Sequence, residues 1–238
     1  PNLRSRYWEI VVITPRYPSD PIRSARYIKI RSTRMLPGYD ETLWIDNRVV
    51  LSVDPTVLFE RVMVQSDFVV PGHSFRETVK DEFDAVLDQR LDDPRRVRRQ
   101  FGDYRANLSS ILNMPVLWTA IIFRRKCDKV SELEDLWHEQ VLLYSRRDQL
   151  SISYAIAMTG VAYEALDIDN HGSHMHTWVT ASRAGRVFNG GRWVSDTDYG
   201  PAALFADYTN RYRLVRGLRK LIDRPVVVAP REGKPANG

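Results

Sequence analysis

Residues 41–51 read ETLWIDNRVVL: an apolar lead-in, a polar interruption at Asp46 and Asn47, and an apolar continuation. That is the pattern of a buried strand that stops, turns and resumes. Three further runs carry the marks of strands, at residues 67–70 (DFVV), 117–124 (LWTAIIFR) and 161–168. Between them, residues 75–89 and 94–104 read as charged surface helices. Ser131 and Glu134 have capping-box spacing, and Val130, Leu133, Trp137 and Val141 recur at helical intervals, so an amphipathic helix is expected over 131–144. A second helix is expected from near Ser145 to Met158, with the tight link SRRDQ (145–149) between the two. Upstream, residues 7–14 (YWEIVVIT) end at Pro15 and read as a strand. Residues 23–35 suit a basic amphipathic helix begun by Asp20 and Pro21, with Ala25, Ile28 and Leu36 on its apolar side. Strands alternating with helices predict an α/β sheet covered on both faces.

From residue 170 to Pro201 glycine, histidine and polar residues dominate, which predicts a long loop. A final basic helix is expected over 208–221, and the terminal REGKPANG (231–238) should fray. With 238 residues, 43% of them hydrophobic, the chain can bury one sizeable core, and its composition argues against disorder. Apolar runs such as 116–123 fall well short of the roughly 20 residues a membrane-spanning helix needs. Residues 1–14 lack a signal-peptide pattern. The single cysteine, Cys127, excludes an internal disulfide and a cysteine zinc site, as in a reducing compartment. A cytoplasmic protein without transmembrane segments is therefore expected, with contact to a membrane surface left open. The net charge of +5 is carried mostly by arginine, whose planar fork suits phosphate. Arg95, Arg96, Arg98 and Arg99 could mark a nucleic-acid patch, but Asp81, Glu82, Asp84, Asp88, Asp92 and Asp93 precede them and balance the charge. No nucleic-acid partner is expected.

Four constellations could carry chemistry. Asp46 at the end of an apolar strand can hold a divalent cation, or it can simply make an Asx turn with Asn47. Arg23, Arg26 and Lys29 line one helix flank, which could grip phosphates or face water. Asp148 and Gln149 in the inter-helix link offer acceptors and donors to sugar hydroxyls, although an Asp there can equally cap a helix. His171, His174 and His176 stand close together in a glycine-containing loop; they are candidate metal ligands or exposed loop histidines.

The segments DPIRSARYIKIRSTRMLPGYDETLWIDNRVVL, HSFRETVKDEFDAV, VLWTAIIFRR and LWHEQVLLYSRRDQLSISYA, in that order, resemble a glycosyltransferase-like family of bacteria and plants. That family was long catalogued as a domain of unknown function, and it includes plant proteins linked to mucilage and pectin synthesis. The likeness spans roughly residues 8–170 and looks like a relation to family 8 glycosyltransferases. It implies a GT-A-like fold: a mixed, mainly parallel sheet flanked by helices, with residues 171–238 as a loop-and-helix extension packed on the domain of residues 1–170. It also implies a nucleotide-sugar donor, a glycan or other hydroxyl acceptor, and a divalent cation (Mn or Mg) at Asp46, with His174 and His176 as further ligands. The second acidic position of the metal motif falls on Arg48, so a histidine compensates or Arg48 replaces the cation. Residue by residue, the likeness makes Asp46 and Asp148 the catalytic candidates and puts Arg23, Arg26 and Lys29 on the donor side. It sets His73, Arg76 and Glu82 at the rim, Arg124 at the end of a core strand, and Asn47, Arg147 and Gln149 among the substrate contacts. Relatives usually begin with a further strand and loop that this chain, starting at Pro1, is expected to lack. A sugar transfer in polysaccharide or glycoconjugate synthesis is therefore expected. The alternatives are a catalytically inactive sugar-nucleotide or glycan binder on the same scaffold, or a ceramidase-like lipid amidase.

Overall fold

The structure is a computed structural model that describes residues 8–179. The expected helix at 208–221, the tail at 231–238 and residues 180–238 of the expected extension lie outside the described residues, as does Tyr7 of the expected first strand.

Asp20 starts α1 (Pro21–Ile30): its carboxylate accepts from the Arg23 backbone N–H at 2.9 Å, and Pro21 supplies the pre-set first φ. The chain breaks step at Arg31 and continues as the short α2 (Ser32–Met35). Strands β1 (Glu41–Ile45) and β2 (Val49–Leu51) flank the expected turn. A helix not foreseen in the sequence, α3 (Pro55–Val62), begins at Asp54, whose side chain accepts from the Thr56 N–H. Then come β3 (Phe68–Pro71) and α4 (Val79–Asp88), the latter started by reciprocal Thr78 and Asp81 bonds, and α5 (Pro94–Asn107), capped by Asp93. After a 3-10 turn at Ser109–Asn113 follow β4 (Ile121–Arg125) and α6 (Asp128–Leu143). A second 3-10 turn at Asp148–Leu150 leads to α7 (Ile152–Thr159), β5 (Glu164–Leu166) and β6 (His176–Trp178).

The main sheet has the order β1-β4-β3-β5. β4 is antiparallel to both neighbours, and β3 and β5 are parallel. The sheet is thus mixed and flanked by helices as expected. Three of its strands run the same way and β4 runs against them, which makes two of the three pairings antiparallel. Apolar periodicity marks a strand but carries no information on its direction. β2 leaves this sheet and pairs with β6 instead.

Alternation along β4 serves two cores. Ile122 packs with Phe68, Val70 and the α6 residues Leu133, Trp137 and Val141 on one face. Ile121 and Phe123 pack with Val69, Leu58 and Val62 on the other. A third cluster, centred on Phe83, Val97 and Tyr104, joins α4 to α5.

Four local expectations are corrected. Residues 9–15 adopt no regular structure and are largely exposed; among the described residues no strand lies alongside to complete the ladder that β-propensity alone cannot supply. In α1 the faces are reversed: Lys29 is buried, whereas Ala25 is exposed and Ile28 only half-buried. Ser131 does not cap α6, which starts a turn earlier after Cys127; Glu134 is buried within it. The helix after the SRRDQ link begins only at Ile152.

Candidate functional site

The reversal of α1 has an electrostatic cause. Lys29, whose side chain is 1% exposed, meets Asp148 Oδ2 at 2.8 Å and Asp46 Oδ1 at 3.3 Å. It also donates to Thr119 Oγ1 at 3.1 Å and sits over the Trp44 ring. Burying an unpaired ammonium would cost several kcal/mol, on the order that only close counter-charges offset. Burial lowers the Lys29 pKa and the two carboxylates oppose it. One ammonium therefore joins the strand break around residue 46 to the link around residue 148, which lie 102 positions apart in the sequence.

The two carboxylates differ in what they can do. Asp148, 3% exposed, takes Arg26 Nε at 2.8 Å on one oxygen and Lys29 with Thr119 Oγ1 on the other. Burial pushes its pKa up, but Arg26 and Lys29 overcome that and hold the carboxyl well below the usual range. A base so weak and so enclosed positions cations rather than abstracting protons. Asp46 is 28% exposed, and its partners, Lys29 and the Trp44 indole N–H at 2.7 Å, both meet Oδ1. Asn47 is exposed beside it in the turn closed by the Val49 N–H on the Asp46 carbonyl, while half-buried Arg48 lies over the Trp178 ring.

The SRRDQ link owes its shape to Asp92, which accepts from Ser145 Oγ and the Arg146 N–H, each at 2.6 Å, and from the Arg146 guanidinium at 3.1 and 3.2 Å. Arg23 serves the same region. It donates to the carbonyls of Val141 and Tyr144 at the end of α6 and pairs with Asp20, so the structure places it on scaffold groups beside the site.

Beyond Asp148 lie the residues expected at the rim. Glu82, fully buried on α4, accepts from Arg76 Nη1 at 2.6 Å. Burial raises its pKa, and Arg147 and Arg76 work against that rise. Arg76 also meets His73 Nε2 at 2.8 Å; burial and then the neighbouring arginines bring His73 down to about 4, which keeps it neutral. Arg147, 29% exposed, reaches Glu82 only at 4.0 Å and Gln149 Oε1 at 3.4 Å. Gln149 in turn donates to the Leu117 carbonyl. His73, Arg76, Glu82, Arg147 and Gln149 thus form a second polar cluster, adjoining Asp148.

Arg124 stands behind it. Completely buried, it donates to the Lys29 carbonyl at 3.0 Å and to Ser32 Oγ at 2.7 Å, and it pairs with Glu134 at 3.3 Å. Its role is to fix the end of α1 from which Lys29 projects.

The expected metal set does not assemble. His176 is buried, with Nδ1 on Ser173 Oγ and Nε2 on the Asn170 carbonyl, so both ring nitrogens are already used. His174 and His171 are exposed. No group of three His, Cys, Asp or Glu side chains fit to hold a metal occurs among the described residues. Among the described residues, Asp46, His174 and His176 therefore do not form the expected cation site.

Thr119, Trp44 and Asp92 belong to this arrangement and carry no sequence signal that separates them from ordinary strand or surface residues; only the burial of their partners reveals them. No helix of the described residues is long and apolar enough to cross a membrane.

A family model described as "TOD1/MUCI70, glycosyltransferase-like domain" matches residues 3–174. A protein of Arabidopsis thaliana named "Probable hexosyltransferase MUCI70" is 26% identical over 161 residues, covering 64% of this chain and 28% of that protein. The chain therefore spans less than a third of that relative's length. No solved structure matches it. The family match takes in every residue from Arg26 through Asp46 to Gln149, and the chain belongs to the TOD1/MUCI70 glycosyltransferase-like domain family.

Proposed function

We propose that this site transfers a sugar from a nucleotide-diphosphate donor to an acceptor hydroxyl. The observation that carries the reading is the single buried ammonium of Lys29 joining Asp46 to Asp148, with Arg26 and Arg147 beside it. In such a transfer, negative charge grows on the leaving diphosphate, and fixed cations in a poorly hydrated setting stabilise it without reorganising. Arg147 is the cation best suited to that role, because its contacts are long where those of Arg26 and Arg76 are short. Lys29 and Arg26 supply the field from below, held in place by Asp148 and Thr119. Asp46, the more exposed carboxylate, can accept a hydroxyl proton or orient a sugar hydroxyl; Asp148 cannot, being saturated by its own partners. The family and the relative's name support a hexosyl transfer. The lipid-amidase alternative needs a metal-bound water or an activated nucleophile, and the histidines expected to hold that metal are not assembled.

The test is turnover. UDP-, GDP- and CDP-hexoses are incubated with the protein and an oligosaccharide acceptor, with manganese or with EDTA, and release of the nucleoside diphosphate is followed. Release from at least one donor, lowered about a hundredfold or more in Asp46→Ala, is expected. Turnover by the parent that Asp46→Ala leaves unchanged would remove Asp46 from the chemistry. A sugar nucleotide that binds without turnover would support the inactive binder instead.

A further inference from the structure

Asp148 was the carboxylate expected to hold a sugar, yet the structure encloses it. Glu82 differs. It is 0% exposed, and Arg76 occupies Oε2, but Oε1 is a buried acceptor with no hydrogen-bond donor. Across from it stands Arg147, whose Nε is likewise buried without an acceptor and whose Nη2 stops 4.0 Å short of Glu82 Oε1. A buried carboxylate oxygen is unfavourable without a donor, so this spot is suited to a group that can donate. A 4.0 Å gap is too long for a hydrogen bond and suits a bridging oxygen. A hydroxyl about 2.8 Å from each end sees its two partners at roughly 90°, an angle it tolerates while donating to one and accepting from the other.

From this we infer that Glu82 and Arg147, backed by Arg76 and neighboured by Gln149 and neutral His73, form a subsite for a sugar hydroxyl, with Glu82 Oε1 as its acceptor. The carboxylate needs a donor and the guanidinium, held at Nη2 only by a long bond to Gln149, can still donate; a hydroxyl meets both, whereas a phosphate oxygen meets the guanidinium alone and a methylene neither. Arg147, the partly exposed member, is the side chain that gives way to admit the group. The inference rests on the proposed transferase reading for the sugar but not for the nucleotide.

Binding is measured by calorimetry for each sugar nucleotide and its free nucleoside diphosphate, and by saturation-transfer NMR for free glucose, galactose and mannose. Each is run on the parent, on Glu82→Met and on Glu82→Gln, the last keeping one acceptor oxygen in case the Met variant fails to fold. Sugar-nucleotide affinity about tenfold weaker in Glu82→Met, with a smaller loss in Glu82→Gln and unchanged diphosphate binding, places the donor sugar in the subsite. Loss of the free-hexose signal alone places the acceptor there. Equal losses for sugar nucleotide and diphosphate overturn the inference, as does no loss for any ligand. If the parent binds no nucleotide, the transferase reading falls and the hexose arm decides separately: a hexose signal lost on replacing Glu82 sustains the subsite, and its absence or persistence ends it.

Discussion

Lys29 is the residue on which the others turn. Its ammonium is buried because Asp148, Asp46 and Thr119 are waiting for it, and Asp148 stays ionised in a buried place because Lys29 and Arg26 are there. The partners are interdependent, so removing one leaves a buried charge uncompensated. Asp148→Ala should therefore cost about 3–5 kcal/mol of folding stability, whereas Asp46→Ala, which removes the more exposed and longer ion pair, should cost about 1 kcal/mol. Urea unfolding of the two variants checks this; equal losses would contradict the division of labour between the carboxylates. The pH dependence has a definite sign. Because the folded carboxyl of Asp148 lies below its ordinary value of 3.8, the stability it lends is complete above that pH and is lost as pH falls through the lowered value. In Asp148→Ala that part of the acid loss should be missing.

At the scale of elements, the strand break at residues 46–48, the helix start at Asp20 and the apolar stripe of α6 were legible in the sequence, since each is a local pattern with a local cause. The Ser131–Glu134 spacing misled because Glu134 answers to Arg124 from β4, a partner that capping-box logic does not see. The orientation of α1 departs from its sequence pattern for the same reason: a basic flank faces water unless carboxylates from distant segments are buried against it. The link 145–149 was legible as a site element, but not its anchor on Asp92. That anchor is testable. Asp92→Ala strips the bonds to Ser145 Oγ, the Arg146 N–H and the Arg146 guanidinium, and should cost at least about 2 kcal/mol. Amide hydrogen exchange should accelerate across 145–149 first; unchanged exchange there would mean that α6 and α7 hold the link unaided.

For the whole molecule, the α/β class and a sheet covered on both faces followed from alternating patterns, and the resemblance correctly named the family. Strand direction did not follow, because apolar runs look alike either way along the chain, and the antiparallel β4 is a matter of connection rather than composition. The candidate site was half legible: Asp46, Arg26, Lys29 and Asp148 were marked and do converge, whereas Arg23 and Arg124 turn out to brace the scaffold. The proposed ligand of this convergence is a pyrophosphate-linked sugar, and binding mapped by substitution addresses that proposal most directly. A thermal-shift panel of UDP-, GDP- and CDP-hexoses on the parent, Asp46→Ala and Arg147→Met should show one donor class stabilising the parent, with the shift largely lost in both variants. No stabilisation by any donor, or a shift that both variants keep in full, would contradict the assignment of the site.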